Sequence, residues 1–180
     1  MEGLFFKSWR KRLWAQVEGY HILEVGVGTG KNFDYYPQDA RITAIDFSGQ
    51  MLKQAARKRD RKNTAVELEL MDIQSLCFAD NSFDTVICSF VFCSVPSAIK
   101  GLKELYRVCK PGGQVLLLEH VLSSNRLIAA VMNLLNPIVI RLVGANINRN
   151  TVKNVKACAF TSVRVDDASS DIIKLIEARK

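Results

Sequence analysis

Short apolar-rich runs alternate with stretches of helical periodicity along most of the chain. His21–Val25 stops at glycines and Arg41–Asp46 stops at an acid, and both are predicted strands. After Ser48, a candidate helix N-cap, Met51, Leu52, Ala55 and Ala56 recur on one side of a helix predicted to run to about Arg61. Val66–Met71 alternates and reads as a third strand. Phe83–Phe90 is almost continuously apolar, as a strand covered on both faces should be. Ser97 caps a predicted helix through about Cys109, Lys110-Pro111-Gly112-Gly113 stops it, and Gln114–His120 is the fifth strand.

The last third is less regular. Leu127–Val143 is apolar but interrupted by Asn133, Asn136, Pro137 and Arg141. It is short and charged for a membrane span, so two short helices are predicted, within a helical cover over 125–160 on the substrate side. Thr151–Ala159 reads as a helix, and Ser162–Val165 and Ile172–Ala178 as closing strands. Strands separated by helices imply a mostly parallel sheet in an α/β fold. Such sheets bind ligands beyond the carboxyl ends of their strands. That rule selects residues 26–32, 46–48, 72–74, 89–95 and 119–122.

Length and charge refine this picture. The chain has 180 residues, which suits one domain over 1–180, and a net charge of +7. Two basic runs supply much of that charge. One, Lys7 with Arg10, Lys11 and Arg12, makes 1–20 a basic N-terminal segment; the other spans Lys53 to Lys62. Each is either a solvated helix face or a surface for anionic partners. The five cysteines form no CxxC pair, so no metal site is expected, and their odd number fits a reducing cytoplasm. The start, Met1 to Phe6, is interrupted too soon by Lys7 to read as a signal or a span.

The chemistry concentrates at the strand ends. Glu24-Val25-Gly26-Val27-Gly28-Thr29-Gly30-Lys31-Asn32 is a glycine turn that allows close approach of a ligand to the backbone. A dinucleotide fingerprint needs a glycine or alanine where Lys31 stands, and a P-loop needs glycine at Val25 and Ser or Thr at Asn32. Phosphate cradling therefore fits poorly. Glu24 would repel a pyrophosphate but suits an ammonium or sulfonium group. Asp46, twenty residues after Gly26, can accept hydrogen bonds from ribose hydroxyls or cap the next helix. Asp72 can accept from an adenine amino group, with Ile73 packed on the ring, or stand as a solvated loop acid.

In this order the residues resemble the class I S-adenosylmethionine-dependent methyltransferases, in the branch of the ubiquinone and menaquinone biosynthesis enzymes. The matching segments are Ile22–Gly30, Ile42–Leu52, Asp80–Val86 and Leu105–Gly113. The resemblance implies a Rossmann-like, seven-stranded, mostly parallel sheet with helices on both faces and the last strand antiparallel. It implies S-adenosylmethionine as cofactor, with Gly26, Gly28 and Gly30 beside its methionine part, Glu24 at its amino group, Asp46 at the ribose, and Asp72 with Ile73 at the adenine. Ser89 and Phe90 would line the site from the fourth strand. Asn32, Phe47 and Met51, which lie within or beside the matching segments, complete the expected cofactor set. Phe92–Pro96, Leu118–Val121 and Asn136–Arg149 further resemble small bacterial methyltransferases and mammalian thiol methyltransferases. Relatives usually carry more chain before the first strand.

Methyl transfer from a sulfonium chiefly needs alignment, and a base only when the nucleophile arrives protonated. Glu119 and His120 are the candidate catalytic residues, each with a structural alternative, capping for Glu119 and a bonded core role for His120. The segment after the fourth strand is apolar and lacks the paired prolines of nucleic-acid amino methylators, so nucleic acid is disfavoured. The expected activity is methyl transfer to a small-molecule thiol, amine or hydroxyl. Alternatives are a peripheral phospholipid or quinone methyltransferase weakly associated with anionic membrane, a nicotinamide-dependent oxidoreductase, and a cofactor-binding module without activity.

Overall fold

A computed structural model describes residues 4–180, so the first three residues of the basic N-terminal segment lie outside the described residues. Seven strands form one sheet in the order β3-β2-β1-β4-β5-β7-β6. They are β1 (His21–Val25), β2 (Arg41–Asp46), β3 (Glu67–Leu70), β4 (Phe83–Ser89), β5 (Cys109–His120), β6 (Ser162–Ser170) and β7 (Ile173–Arg179). The first five run parallel, and β7 inserts antiparallel between β5 and β6. Five α-helices accompany them among the described residues: α1 (Leu4–Trp14), α2 (Gly49–Lys62), α3 (Ala98–Val108), α4 (Arg126–Val143) and α5 (Thr151–Lys156).

Side-chain alternation along the strands divides the core into two layers. On one face, Ile22, Ile87, Leu116 and Leu118 pack with Trp9, Leu13 and Trp14 of α1. On the other, Leu23, Val86 and Leu117 meet Leu102 and Leu105 of α3 and Val155 of α5. Ser48 and Ser97 cap α2 and α3 by accepting the amides of Met51 and Lys100, each at 3.4 Å.

Three expectations need correction. Arg126–Val143 form one helix of 18 residues, not two short ones. The asparagines read as breakers turn their side chains to the following loop: Asn136 Oδ1 accepts the Ile147 amide at 2.9 Å, and Asn133 Oδ1 accepts from Asn148 at 2.9 Å. Neither competes with the helix backbone, and Pro137 removes a single donor. Second, β5 begins at Cys109, because Lys110-Pro111-Gly112-Gly113 bulges out of the ladder between the Phe83–Cys109 and Thr85–Gln114 pairs. Third, the helix predicted to Ala159 ends at Lys156. The basic N-terminal segment, whose conformation the sequence left open, contains a packed helix, α1, whose Phe6, Trp9 and Leu13 share one face.

Candidate functional site

A cleft opens beyond the carboxyl ends of β1, β2 and β4, where the strand order reverses. It consists of two cavities. The first, about 190 Å³, is walled by Ile45, Met71, Ile73, Val91 and Val95, with Asp72 and Gln74 among its polar lining residues. The second, about 660 Å³, lies within the size range of small-molecule sites and is bordered by Arg10, Gly28, Thr29, Ser48, Met51, Ser89, Phe90 and Gly144. Gly26, Asp46, Phe47, Val91 and Ser94 belong to both walls, so the two cavities adjoin.

The glycine turn is held against β2. The amides of Gly26 and Val27 both donate to Ile45 O, at 2.8 and 3.0 Å. Gly26 sits at φ +74°, and a Cβ there would lie 2.4 Å from Val91 Cγ2. Only glycine serves both demands. Asp46 closes the turn from below: its Oδ2 accepts the Gly28 amide at 2.8 Å and its Oδ1 accepts the Ser48 amide at 2.9 Å. Each oxygen keeps a lone pair for a further donor.

Beneath the second cavity lies a buried polar network. Glu24 Oε1 accepts from Asn32 Nδ2 at 2.5 Å, and Glu24 Oε2 accepts from the Tyr36 hydroxyl. Arg10 Nη1 donates to Asn32 Oδ1 at 2.7 Å and to Ser89 Oγ at 2.9 Å. Burial raises the Glu24 carboxyl above its ordinary value, opposed by the Tyr36 and Asn32 bonds and by the Arg10 charge. The network delivers one cation, Arg10, to the cavity wall.

β4 ends in a strained residue. Phe90 has φ +58°, uncommon for a bulky side chain. Its ring meets Phe6 at 5.6 Å and His120 at 6.4 Å, and the Arg10 guanidinium stands 5.7 Å from its centroid. The turn that follows is tied by Glu119, whose Oε1 accepts the amides of Val91 at 2.9 Å and Phe92 at 3.2 Å. Burial pushes the Glu119 carboxyl up to about 8, the two amides opposing the shift.

Of the cofactor residues expected from sequence, Gly26, Gly28, Asp46, Phe47, Met51, Asp72, Ile73, Ser89 and Phe90 line the cleft. Glu24 and Asn32 are buried behind it in the polar network, and Gly30 faces the Phe33 ring. Neither Glu119 nor His120 lines either of these two cavities. Burial lowers the His120 pKa, and its buried Nδ1 has no partner. Arg10 was missed, taken with Lys7, Lys11 and Arg12 as part of a basic run. The available signal was its spacing: Arg10 lies between Phe6 and Leu13 on the apolar face of α1, whereas Lys7, Lys11 and Arg12 are exposed.

Comparison with known proteins places this geometry. The model of the family described as "Methyltransferase domain" matches residues 23–117, more than half the chain. A phosphatidylethanolamine N-methyltransferase of Cereibacter sphaeroides is 38% identical over 133 residues, covering 72% of this chain and 66% of the relative. The human thiol S-methyltransferase TMT1B is 36% identical over 127 residues, covering 64% of this chain and 51% of the relative. The chain thus spans between half and two thirds of the length of these relatives. The crystal structure of YcgJ from Bacillus subtilis shares the fold with a TM-score of 0.79 at 19% identity, covering 89% of this chain and 71% of that one. Sheet order, cleft and family match agree, and the chain belongs to the methyltransferase domain family.

Proposed function

We propose that this chain is an S-adenosylmethionine-dependent methyltransferase acting on a small-molecule thiol, amine or hydroxyl. The observation that carries the reading is Asp46, which stands in the wall shared by both cavities with a lone pair left on each oxygen. The residues present suit the cofactor. Ile73, Met71 and Val95 give the first cavity an apolar lining for an adenine ring, and Asp72 offers an acceptor there. Asp46 suits a ribose diol. Arg10, at the wall of the second cavity, suits a carboxylate. Glu24 and Asn32 then act from behind, holding Arg10 in place rather than meeting the cofactor's amino group directly.

S-adenosylmethionine supplies an electrophilic methyl group on a sulfonium. The chain's own task is to hold an acceptor in line and keep water away, which fits the apolar Phe47, Met51, Phe90 and Val91 in the second cavity. Glu119 is assigned a positioning role through Val91 and Phe92. His120 lines neither cavity and is assigned no step in the transfer. Nucleic acid is not the proposed acceptor. A phospholipid or quinone acceptor, reached by peripheral association with anionic membrane, is the second reading, favoured by the apolar outward face of α4.

Titration calorimetry with S-adenosylmethionine, its demethylated product and NAD tests the cofactor, and a methyl-transfer screen over thiols, amines and phenols tests the reaction. Binding of either methionine compound but not NAD is expected. Binding of neither would end the reading, and binding without transfer to any acceptor would favour a module that only holds the cofactor.

A further inference from the structure

Helix α4 is built inside out. Its most exposed large apolar side chains, among the described residues, are Leu127, Val131, Leu134, Ile138 and Leu142, which are 80%, 54%, 76%, 57% and 80% exposed. Their spacing of three and four residues makes one continuous stripe along the helix. The opposite seam, Ala129, Met132, Asn136 and Val139, is the better covered, and its one buried member is the polar Asn136. A surface helix in water normally shows the reverse arrangement, because each exposed leucine forgoes about 1.5–3 kcal/mol of burial. A patch this continuous marks an interaction surface.

Charge identifies the occupant. From Val121 to Val165 the chain carries no Asp or Glu, but it carries Arg126 and Arg141, exposed near the two ends of α4, and Arg149, Lys153 and Lys156 beyond it. A second copy of this chain docked through the same face would bring arginines together with no acid of that segment between them. An anionic lipid surface would satisfy both the stripe and the arginines, whose stems can lie along the apolar layer while the guanidinium groups reach headgroups. No helix among the described residues is long and apolar enough to cross a membrane, so α4 would lie in the interface plane. Its far end is mechanically joined to the cleft. The C-cap Gly144 lines the second cavity. Just beyond, the amide and Nδ2 of Asn146 both donate to Cys93 O, at 2.8 and 3.1 Å, and Arg149 Nη2 donates to Val95 O at 2.7 Å.

We propose that α4 is an interfacial helix that docks this chain on an anionic phospholipid bilayer, with the mouth of the second cavity beside the lipid surface at Gly144. The docking does not depend on the methyl-transfer reading, because it is measured without cofactor. The full chain is co-sedimented with vesicles of mixed phosphatidylcholine and phosphatidylglycerol, and with vesicles of phosphatidylcholine alone. Sedimentation velocity without lipid gives its oligomeric state. Partition onto the anionic vesicles is expected. Leu134→Glu, and separately the pair Arg126→Glu and Arg141→Glu, should reduce it by about tenfold or more. Cofactor affinity measured on the same variants shows whether the cleft is intact. Retained cofactor binding with lost partition supports the proposal. Wild-type chain left in the supernatant with anionic vesicles overturns it, as does Leu134→Glu that partitions normally. A lipid-free dimer that Leu134→Glu converts to monomer also overturns it, by giving the face to a second copy. Wild-type chain that partitions but binds no S-adenosylmethionine supports the docking while sinking the methyl-transfer reading.

Discussion

Arg10 Nη1 lies 2.9 Å from Ser89 Oγ, joining the N-terminal helix to the end of β4 across 79 positions of sequence. The same nitrogen reaches Asn32, which in turn holds Glu24. A helix outside the segment matched by the family model therefore supplies a cation, beside Lys31, at the wall of the second cavity. Arg10→Ala should weaken S-adenosylmethionine binding by about 1.5–3 kcal/mol, the range for hydrogen bonds to charged groups, and Arg12→Ala should leave it unchanged. Calorimetry on the two variants decides, with circular dichroism to verify that α1 still packs. Equal affinity in Arg10→Ala would remove Arg10 from the site.

Asp46 does two jobs, tying the glycine turn to β2 and facing both cavities. Asp46→Ala should weaken the cofactor by roughly 1–3 kcal/mol, because it takes away an acceptor and leaves the Gly28 and Ser48 amides without their partner. Asp46→Asn keeps one carbonyl oxygen and should fall between the two. A calorimetric series in the order Asp, Asn, Ala is the expected result; an unchanged alanine variant would show that the carboxylate serves the turn alone.

Gly26→Ala meets two obstacles at once, a φ of +74° and Val91 Cγ2 at 2.4 Å. The left-handed conformation alone costs about 1–2 kcal/mol for a residue with a Cβ. The urea midpoint should drop, and adding Val91→Ala should recover only part of the loss, since the second change relieves the contact but not the backbone. Full recovery would show that the backbone strain is negligible.

Glu119 gives a pH prediction. An unfolded glutamate titrates near 4.3, whereas burial pushes this one up to about 8. The folded state therefore holds a proton that the unfolded state has lost. The resulting stabilisation is complete below the unfolded value and disappears as pH rises through about 8. Glu24, also raised, acts in the same sense, and His120, lowered, acts in the opposite one. The comparison of variant with wild type isolates Glu119. Glu119→Gln keeps an oxygen for the Val91 and Phe92 amides and cannot ionise, so its urea midpoint should fall less than that of wild type between pH 5 and pH 8. Parallel profiles would mean that Glu119 is already ionised in the folded chain.

Much of the parallel sheet was readable because local patterning reports burial. Phe83–Phe90 and Gln114–His120 are apolar on both faces since helices cover both sides of β4 and β5, and a strand so placed has little choice of side chain. The place of the glycine turn, Asp46 and Asp72 at the cleft was readable for a related reason, because turns and acids that follow the strands mark the carboxyl edge of a parallel sheet. The joining of Lys110–Gly113 into β5 was not readable, since a bulge is visible only in the partner strand's register.

Tertiary contacts decided the rest. Glu24 stands directly before the glycines, yet it is buried, lines neither cavity, and meets Asn32 and Tyr36 instead. Arg10 was one basic residue among four until packing of α1 turned it inward. Asn133 and Asn136 looked like helix breakers until the loop at Ile147 and Asn148 gave them partners. In each case the deciding bond joins different elements or a helix and its following loop, 8 to 22 positions apart in the chain. Local hydrophobic period and turn chemistry therefore specified the elements and the cleft's location, whereas which polar groups face the ligand and which face one another is a property of the assembled fold.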